Sequence, residues 1–82
     1  MEATAKRDSF LELVAEVLGV DTAELTDQCG PANLPAWTSR RHLELVVTFE
    51  QEYGVELTHQ EIRAMRTLGV ARGLLAARGA RI

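Results

Sequence analysis

The sequence is poor in several residue types, and each shortage excludes something. It has one cysteine, Cys29, so no internal disulfide forms, and a Cys with two scattered histidines assembles no metal site. Aromatic residues are 5% of the chain, so a core must come from Leu, Val, Ala and Ile, which favours helix packed on helix over a sheet sandwich. No apolar run is long enough to cross a bilayer. Residues 1–20 carry Glu12 and Glu16 inside an amphipathic pattern rather than the continuous apolar segment of a secretory signal, so a cytoplasmic protein is expected. Gly-rich phosphate loops followed by Lys are absent, and Lys6 is the only lysine.

What is present is a short chain with ordinary core content. Its 82 residues are 46% hydrophobic, too apolar for disorder and sized for one domain over residues 1–82. A core of this size supports roughly 3–5 kcal/mol of stability. The formal net charge is −3, which argues against nucleic acid as a partner. The charges are unevenly placed. Every acid lies between Glu2 and Glu61, and beyond Glu61 the only charged side chains are Arg63, Arg66, Arg72, Arg78 and Arg81.

Hydrophobic spacing predicts helices. Phe10, Leu13, Val14, Val17 and Leu18 repeat at helical intervals, with Ser9 and Glu12 spaced as a capping box and Gly19 as a stop; the helix start is also compatible with a position a few residues earlier. Residues 19–38 have loop composition, with one helical turn near Asp21–Glu24, and Leu25, Leu34 and Trp37 are expected to pin the loop to the core. Residues 39–53 form a second helix with a stripe of Leu43, Val46, Val47, Phe49 and Tyr53, and with Glu44, Glu50, Gln51 and Glu52 mostly outside it. Val55 and Leu57 plug the core from a connector. Thr58 and Glu61 form a capping box for a short helix to about Met65. Thr67 caps a last helix to about Ala77, buried through Leu68, Val70, Ala71, Leu74 and Leu75 and weakened by Gly69 and Gly73. The expected fold is an all-α small four-helix bundle, three longer helices and one short, with a long first loop.

No set of base, nucleophile and orienting group converges, and no metal set is visible, so the chain is not read as an enzyme. His42 and His59 read as solvated surface residues. A helix-turn-helix reader fails because the last helix would lead into a groove with Leu68, Gly69 and Val70. The stretch "PAWTSRRHLELV" is the informative one. A hydroxyl at Thr38 or Ser39 caps the second helix. The same helix start tolerates an anion, through free N–H groups and the positive end of the dipole, and Arg40 and Arg41 add cations beside it. A phosphate ester on Ser39 would therefore be electrostatically favoured.

These residues resemble a known family. "AWTSRRHLELVVTFEQEYGVELTHQEIRAMRTLGVARGLL" is similar to the second half of an acyl carrier protein, and "VAEVLGVDTAELTD" to its first helix and loop, so the resemblance covers about residues 9–76. It implies the family's four-helix fold and a 4′-phosphopantetheine arm on Ser39, installed from coenzyme A by a phosphopantetheinyl transferase. The arm's thiol carries acyl groups as thioesters, and the carrier presents them without catalysing their chemistry. The residues Trp37, Thr38, Arg41 and His42 resemble a W-T-S-L-R-H variant found in discrete carriers of polyketide pathways, including those that load glycerate-derived units. Two positions depart from the family's Asp-Ser-Leu: Thr38 stands for Asp and Arg40 for Leu.

From the resemblance, Trp37, Thr38, Arg40, Arg41 and His42 would shape the arm's mouth and partner surface. Glu44, Glu50 and Glu52 would supply an acidic recognition face. The implied partners are an acyl-loading enzyme and ketosynthase- or acyltransferase-type enzymes, with the carrier a monomer that binds neither nucleic acid nor membrane. Arg40 and Arg41 reverse the local charge, which disfavours partners that use basic patches. The departures also admit a competing reading, a carrier-like fold that has lost its arm and serves as a docking or regulatory module. A peptidyl carrier ranks lower, because the Leu-Gly-Gly-His-Ser-Leu pattern is missing.

Overall fold

A computed structural model describes residues 9–80. The described residues form four α-helices and no strand: α1 Ser9–Leu18, α2 Ser39–Tyr53, α3 His59–Ala64 and α4 Leu68–Ala77, with a 3₁₀ turn at Thr22–Glu24. This is the small four-helix bundle with a long first loop that the periodicity predicts. Ser9 is already helical, so it sits inside α1 rather than capping it. The helix start expected ahead of it, and Arg81, lie outside the described residues.

The core is the meeting of three apolar helix faces, those of α1, α2 and α4. Phe10, Val14, Ala15 and Leu18 of α1 pack with Leu45, Val46 and Phe49 of α2 and with Leu68, Ala71 and Leu75 of α4, and Met65 closes the cluster. Phe10 and Phe49 stack with ring centroids 5.4 Å apart. Leu25 and Trp37 bury the long loop against this core, Leu34 packs partly buried beside them, and Leu57 and Val55 plug it from the α2–α3 connector.

Two apolar stripes differ from expectation. In α2, Leu43 is 60% exposed and Val47 50% exposed, while Leu45, outside the expected stripe, is fully buried. The apolar residues of α2 spread over a broad arc, and the packing of α1 and α4 selects the 45–46–49 part of it. In α4, Val70 is 40% exposed, because the buried line runs through Leu68, Ala71 and Leu75.

The termini follow capping chemistry. Gly19, Gly54 and Gly79 have positive φ, and the first two close α1 and α2. Asp21 caps the 3₁₀ turn and Thr67 caps α4 by accepting from Val70 N at 3.2 Å. At α3, Thr58 Oγ1 accepts from Glu61 N at 3.1 Å, and a Glu61 carboxylate oxygen accepts from Thr58 N at 2.9 Å. Arg78 reaches back from the end of α4 to the same carboxylate.

The Thr58 amide and the Arg78 guanidinium hold the Glu61 carboxyl below its ordinary value of 4.5. A depressed carboxyl stabilises the fold fully above its unfolded value and loses that contribution as pH falls through its folded value. Urea midpoints should therefore fall between about pH 5 and pH 3 more steeply for the natural chain than for Glu61→Gln, with the two curves converging at the acid end. Parallel curves would show that Glu61 adds nothing pH-dependent.

Candidate functional site

The start of α2 divides the work between two neighbouring hydroxyls. Thr38 has extended backbone and its Oγ1 accepts from Arg41 N at 3.2 Å, so Thr38 is the N-cap. Its carbonyl accepts from His42 N at 2.8 Å, the first turn's backbone bond. Ser39 is the first helical residue, is exposed, and its hydroxyl has no hydrogen-bond partner among the described residues. The cap requirement is met one residue upstream, leaving the Ser39 Oγ available.

That hydroxyl opens on a groove of about 470 Å³. Pro31 and Ala32 of the long loop form one wall, Thr38, Ser39, His42 and Leu43 of α2 a second, and Arg63, Met65 and Arg66 of the α3 segment a third. The floor is apolar and the groove holds two guanidinium-bearing residues and no acid. Of these residues, Pro31, Ala32, Leu43, Arg63, Met65 and Arg66 were not among the expected site residues. The one sequence signal was the absence of acids beyond Glu61, which leaves the α3 segment basic.

The loop reaches this position through close backbone contact. Leu68 N donates to Cys29 O at 2.8 Å and Gly69 N to Asp27 O at 2.9 Å. Gly30 is buried, and a Cβ there would lie 1.8 Å from the Arg66 carbonyl oxygen. Cys29 takes part in the same turn through its thiol, which donates to Glu24 O at 3.4 Å.

Trp37 and His42 were expected at the mouth, and Trp37 also as a pin of the loop to the core, which is the role it takes. Trp37 is buried at 3% exposure, so it offers no surface to a partner. Its indole Nε1–H donates to His42 Nδ1 at 3.0 Å. Indole nitrogen is only a donor, so Nδ1 must be the acceptor, and the ring proton sits on Nε2. Nε2–H then donates to Ile62 O at 2.9 Å. His42 is thus a bridge between loop, α2 and α3 rather than the solvated surface histidine the sequence suggests; His59 is exposed as expected. Replacing His42 by Phe keeps a ring but strands a buried indole N–H, which should cost about 1–3 kcal/mol. Urea titration measures the loss, and the indole N–H resonance should exchange faster. An unchanged midpoint would mean that the bridge contributes nothing net.

The remaining expected residues disperse. Arg41 turns away from the groove and its guanidinium donates to Val17 O at the end of α1. Arg40 stays 87% exposed, with Glu44 at 3.8 Å, and Glu44 also lies 3.7 Å from Arg41. Glu50 is half-buried, its carboxylate accepting from Leu57 N at 2.9 Å to hold the connector. Glu52 lines a different hollow, with Glu12 and Glu16 of α1. Glu44, Glu50 and Glu52 therefore do not form one acidic face. The physical reason is helix phase: at 3.6 residues per turn, positions 44, 50 and 52 leave α2 in different directions.

No group of His, Cys, Asp and Glu among the described residues has the arrangement of a metal site, and no described helix is long and apolar enough to cross a membrane. No family model matches the sequence. A curated relative does: the chain is 37% identical over 62 residues, 76% of its own length, to polyketide-8 synthase acyl carrier protein 2 of Streptomyces avermitilis, and it covers 71% of that protein. With the helix order and the long first loop described above, that similarity establishes that the chain belongs to the acyl carrier protein family.

Proposed function

We propose that Ser39 is the attachment point of a 4′-phosphopantetheine arm, and that the chain carries acyl or polyketide intermediates on it as thioesters. It presents them to separate enzymes of a specialised-metabolite pathway and catalyses none of their steps. The observation that carries this reading is the division between the two hydroxyls: Thr38 caps α2, while Ser39 stands exposed beside the groove. The family in general uses a phosphopantetheine group, and the named relative belongs to a polyketide synthase.

The residues present suit such a group. A phosphate ester on Ser39 meets the first-turn amides and the positive end of the α2 dipole, with Arg40 next in sequence. The arm, when attached, supplies a thiol that holds acyl groups as thioesters. The chain's own residues orient it: α2 fixes the hydroxyl, and Met65, Leu43, Pro31 and Ala32 give an adjacent apolar wall. Tethering raises the effective concentration of the cargo at each enzyme.

The expected partners are a phosphopantetheinyl transferase, an acyl-loading enzyme and ketosynthase- or acyltransferase-type enzymes. We propose a monomer, with residues 1–82 forming a single carrier domain, working in the cytoplasm. The test is intact-protein mass after incubation with coenzyme A and a broad-specificity transferase. A gain of one phosphopantetheine, located on Ser39 by peptide fragmentation, is the expected result. No gain, with a transferase from a polyketide pathway also failing, would favour the armless docking module.

A further inference from the structure

The described arginines sort into two sets. Arg41 closes the end of α1, Arg72 lies 4.7 Å over the Phe10 ring and 3.5 Å from Asp27, and Arg78 binds Glu61. These hold the fold. Arg63 and Arg66 are exposed, line the groove beside Ser39, and have no ion pair among the described residues. Arg40, next to Ser39 in sequence, is exposed outside the groove, with Glu44 at 3.8 Å.

An apolar ridge runs through this basic surface. Ser39, Leu43 and Val47 are spaced four residues apart, so they follow one row along α2. Leu43 and Val47 are 60% and 50% exposed, although Leu45 and Val46 of the same helix are buried. Four acids collect elsewhere: Glu12, Glu16, Asp21 and Glu24 surround a hollow between α1 and the 3₁₀ turn, while Glu44, next to Leu43, is taken up by Arg40 and Arg41. The net charge of −3 therefore conceals a groove beside Ser39 that is lined by two arginines and no acid.

We propose that the Leu43–Val47 ridge, with Arg40, Arg63 and Arg66, is a docking surface for a partner protein that presents an apolar seat ringed by carboxylates. A seat ringed by lysines or arginines meets like charge here and is rejected. This deepens the reading of Ser39 as the attachment point, since a partner so seated has its entrance beside that hydroxyl. The surface exists whether or not Ser39 is modified, so its test does not pass through Ser39.

The experiment titrates the unmodified, isotope-labelled full chain with an amphipathic helical peptide of Leu and Glu, and separately with its Leu and Lys counterpart. The Glu peptide should shift the amide resonances of Leu43, Val47, Arg63 and Arg66, and added salt should weaken the binding. The variant combining Arg63→Glu and Arg66→Glu should weaken it about tenfold or more. Leu43→Ser should weaken it without changing its salt dependence. If the Lys peptide binds this face as well as the Glu peptide, or the Glu peptide fails to shift it, the proposal is overturned. A failed mass gain on Ser39 would instead overturn the attachment reading and leave this result standing.

Discussion

Gly30→Ala should leave the domain largely unfolded. An alanine Cβ at this position lies 1.8 Å from the Arg66 carbonyl oxygen and 2.9 Å from its carbon, and both are backbone atoms. Neither is a flexible side-chain end that can swing aside. Relief requires the long loop to lift from the α3–α4 junction, and the loop is held there by Leu68 N to Cys29 O and Gly69 N to Asp27 O. Overpacking costs about 1–3 kcal/mol and each lost hydrogen bond about 0.5–1.5. The sum, on the order of 3 kcal/mol or more, approaches the roughly 3–5 kcal/mol expected of so small a core.

Far-UV circular dichroism against urea should therefore show the Gly30→Ala midpoint near zero denaturant. Gly73→Ala is the matched control. Nothing lies within 4 Å of a Cβ at Gly73, which sits inside α4, so alanine there should stabilise by up to about 1 kcal/mol. A Gly30→Ala protein as stable as the natural one would show that the loop is not docked as described.

The second large effect is expected at the neighbouring hydroxyls, with opposite signatures. Ser39→Ala should abolish phosphopantetheine transfer completely. Its helical circular dichroism and urea midpoint should stay within about 0.5 kcal/mol of the natural chain, because the exposed hydroxyl being removed has no hydrogen-bond partner among the described residues. Thr38→Ala should do the reverse. It removes the acceptor for Arg41 N and should cost about 1 kcal/mol, yet leave a modifiable serine. If Ser39→Ala destabilises instead and Thr38→Ala does not, the two hydroxyls have been assigned the wrong roles.

Most element boundaries were legible in the sequence because their determinants are local. Thr58 with Glu61, Thr67, Gly19 and Gly54 act on backbone groups within a few residues of themselves, and all serve where the sequence placed them. The buried faces were less legible where a helix is apolar on more than one side. In α2, Leu43, Leu45, Val46, Val47, Phe49 and Tyr53 fit either of two overlapping stripes. Only the contact with α1 and α4 buries Leu45 and leaves Leu43 and Val47 outside.

The site was legible in part. The choice between Thr38 and Ser39 as cap depends on which residue first adopts helical dihedrals, a difference of one position that composition does not encode. His42 looked solvated because nothing local marks its partners: Ile62 is twenty residues away, and Trp37, expected to pin the loop, also turns its indole N–H onto the ring. The groove was invisible for the same reason, since its walls come from three separated segments. The acidic face was expected from residue type alone. Its carboxylates turned out to be committed to Leu57 N, shared between two arginines, or directed to another hollow.

By itself, then, the sequence determined the helices, the caps of the last two, the long first loop and the resemblance to acyl carriers, because periodicity and capping are short-range and survive in a linear string. The tertiary structure alone decided which hydroxyl is free, which face of α2 meets solvent, and where the positive charge gathers. Those properties depend on packing between segments far apart in the chain, which sets the rotation of each helix and commits some side chains to the fold while leaving others exposed.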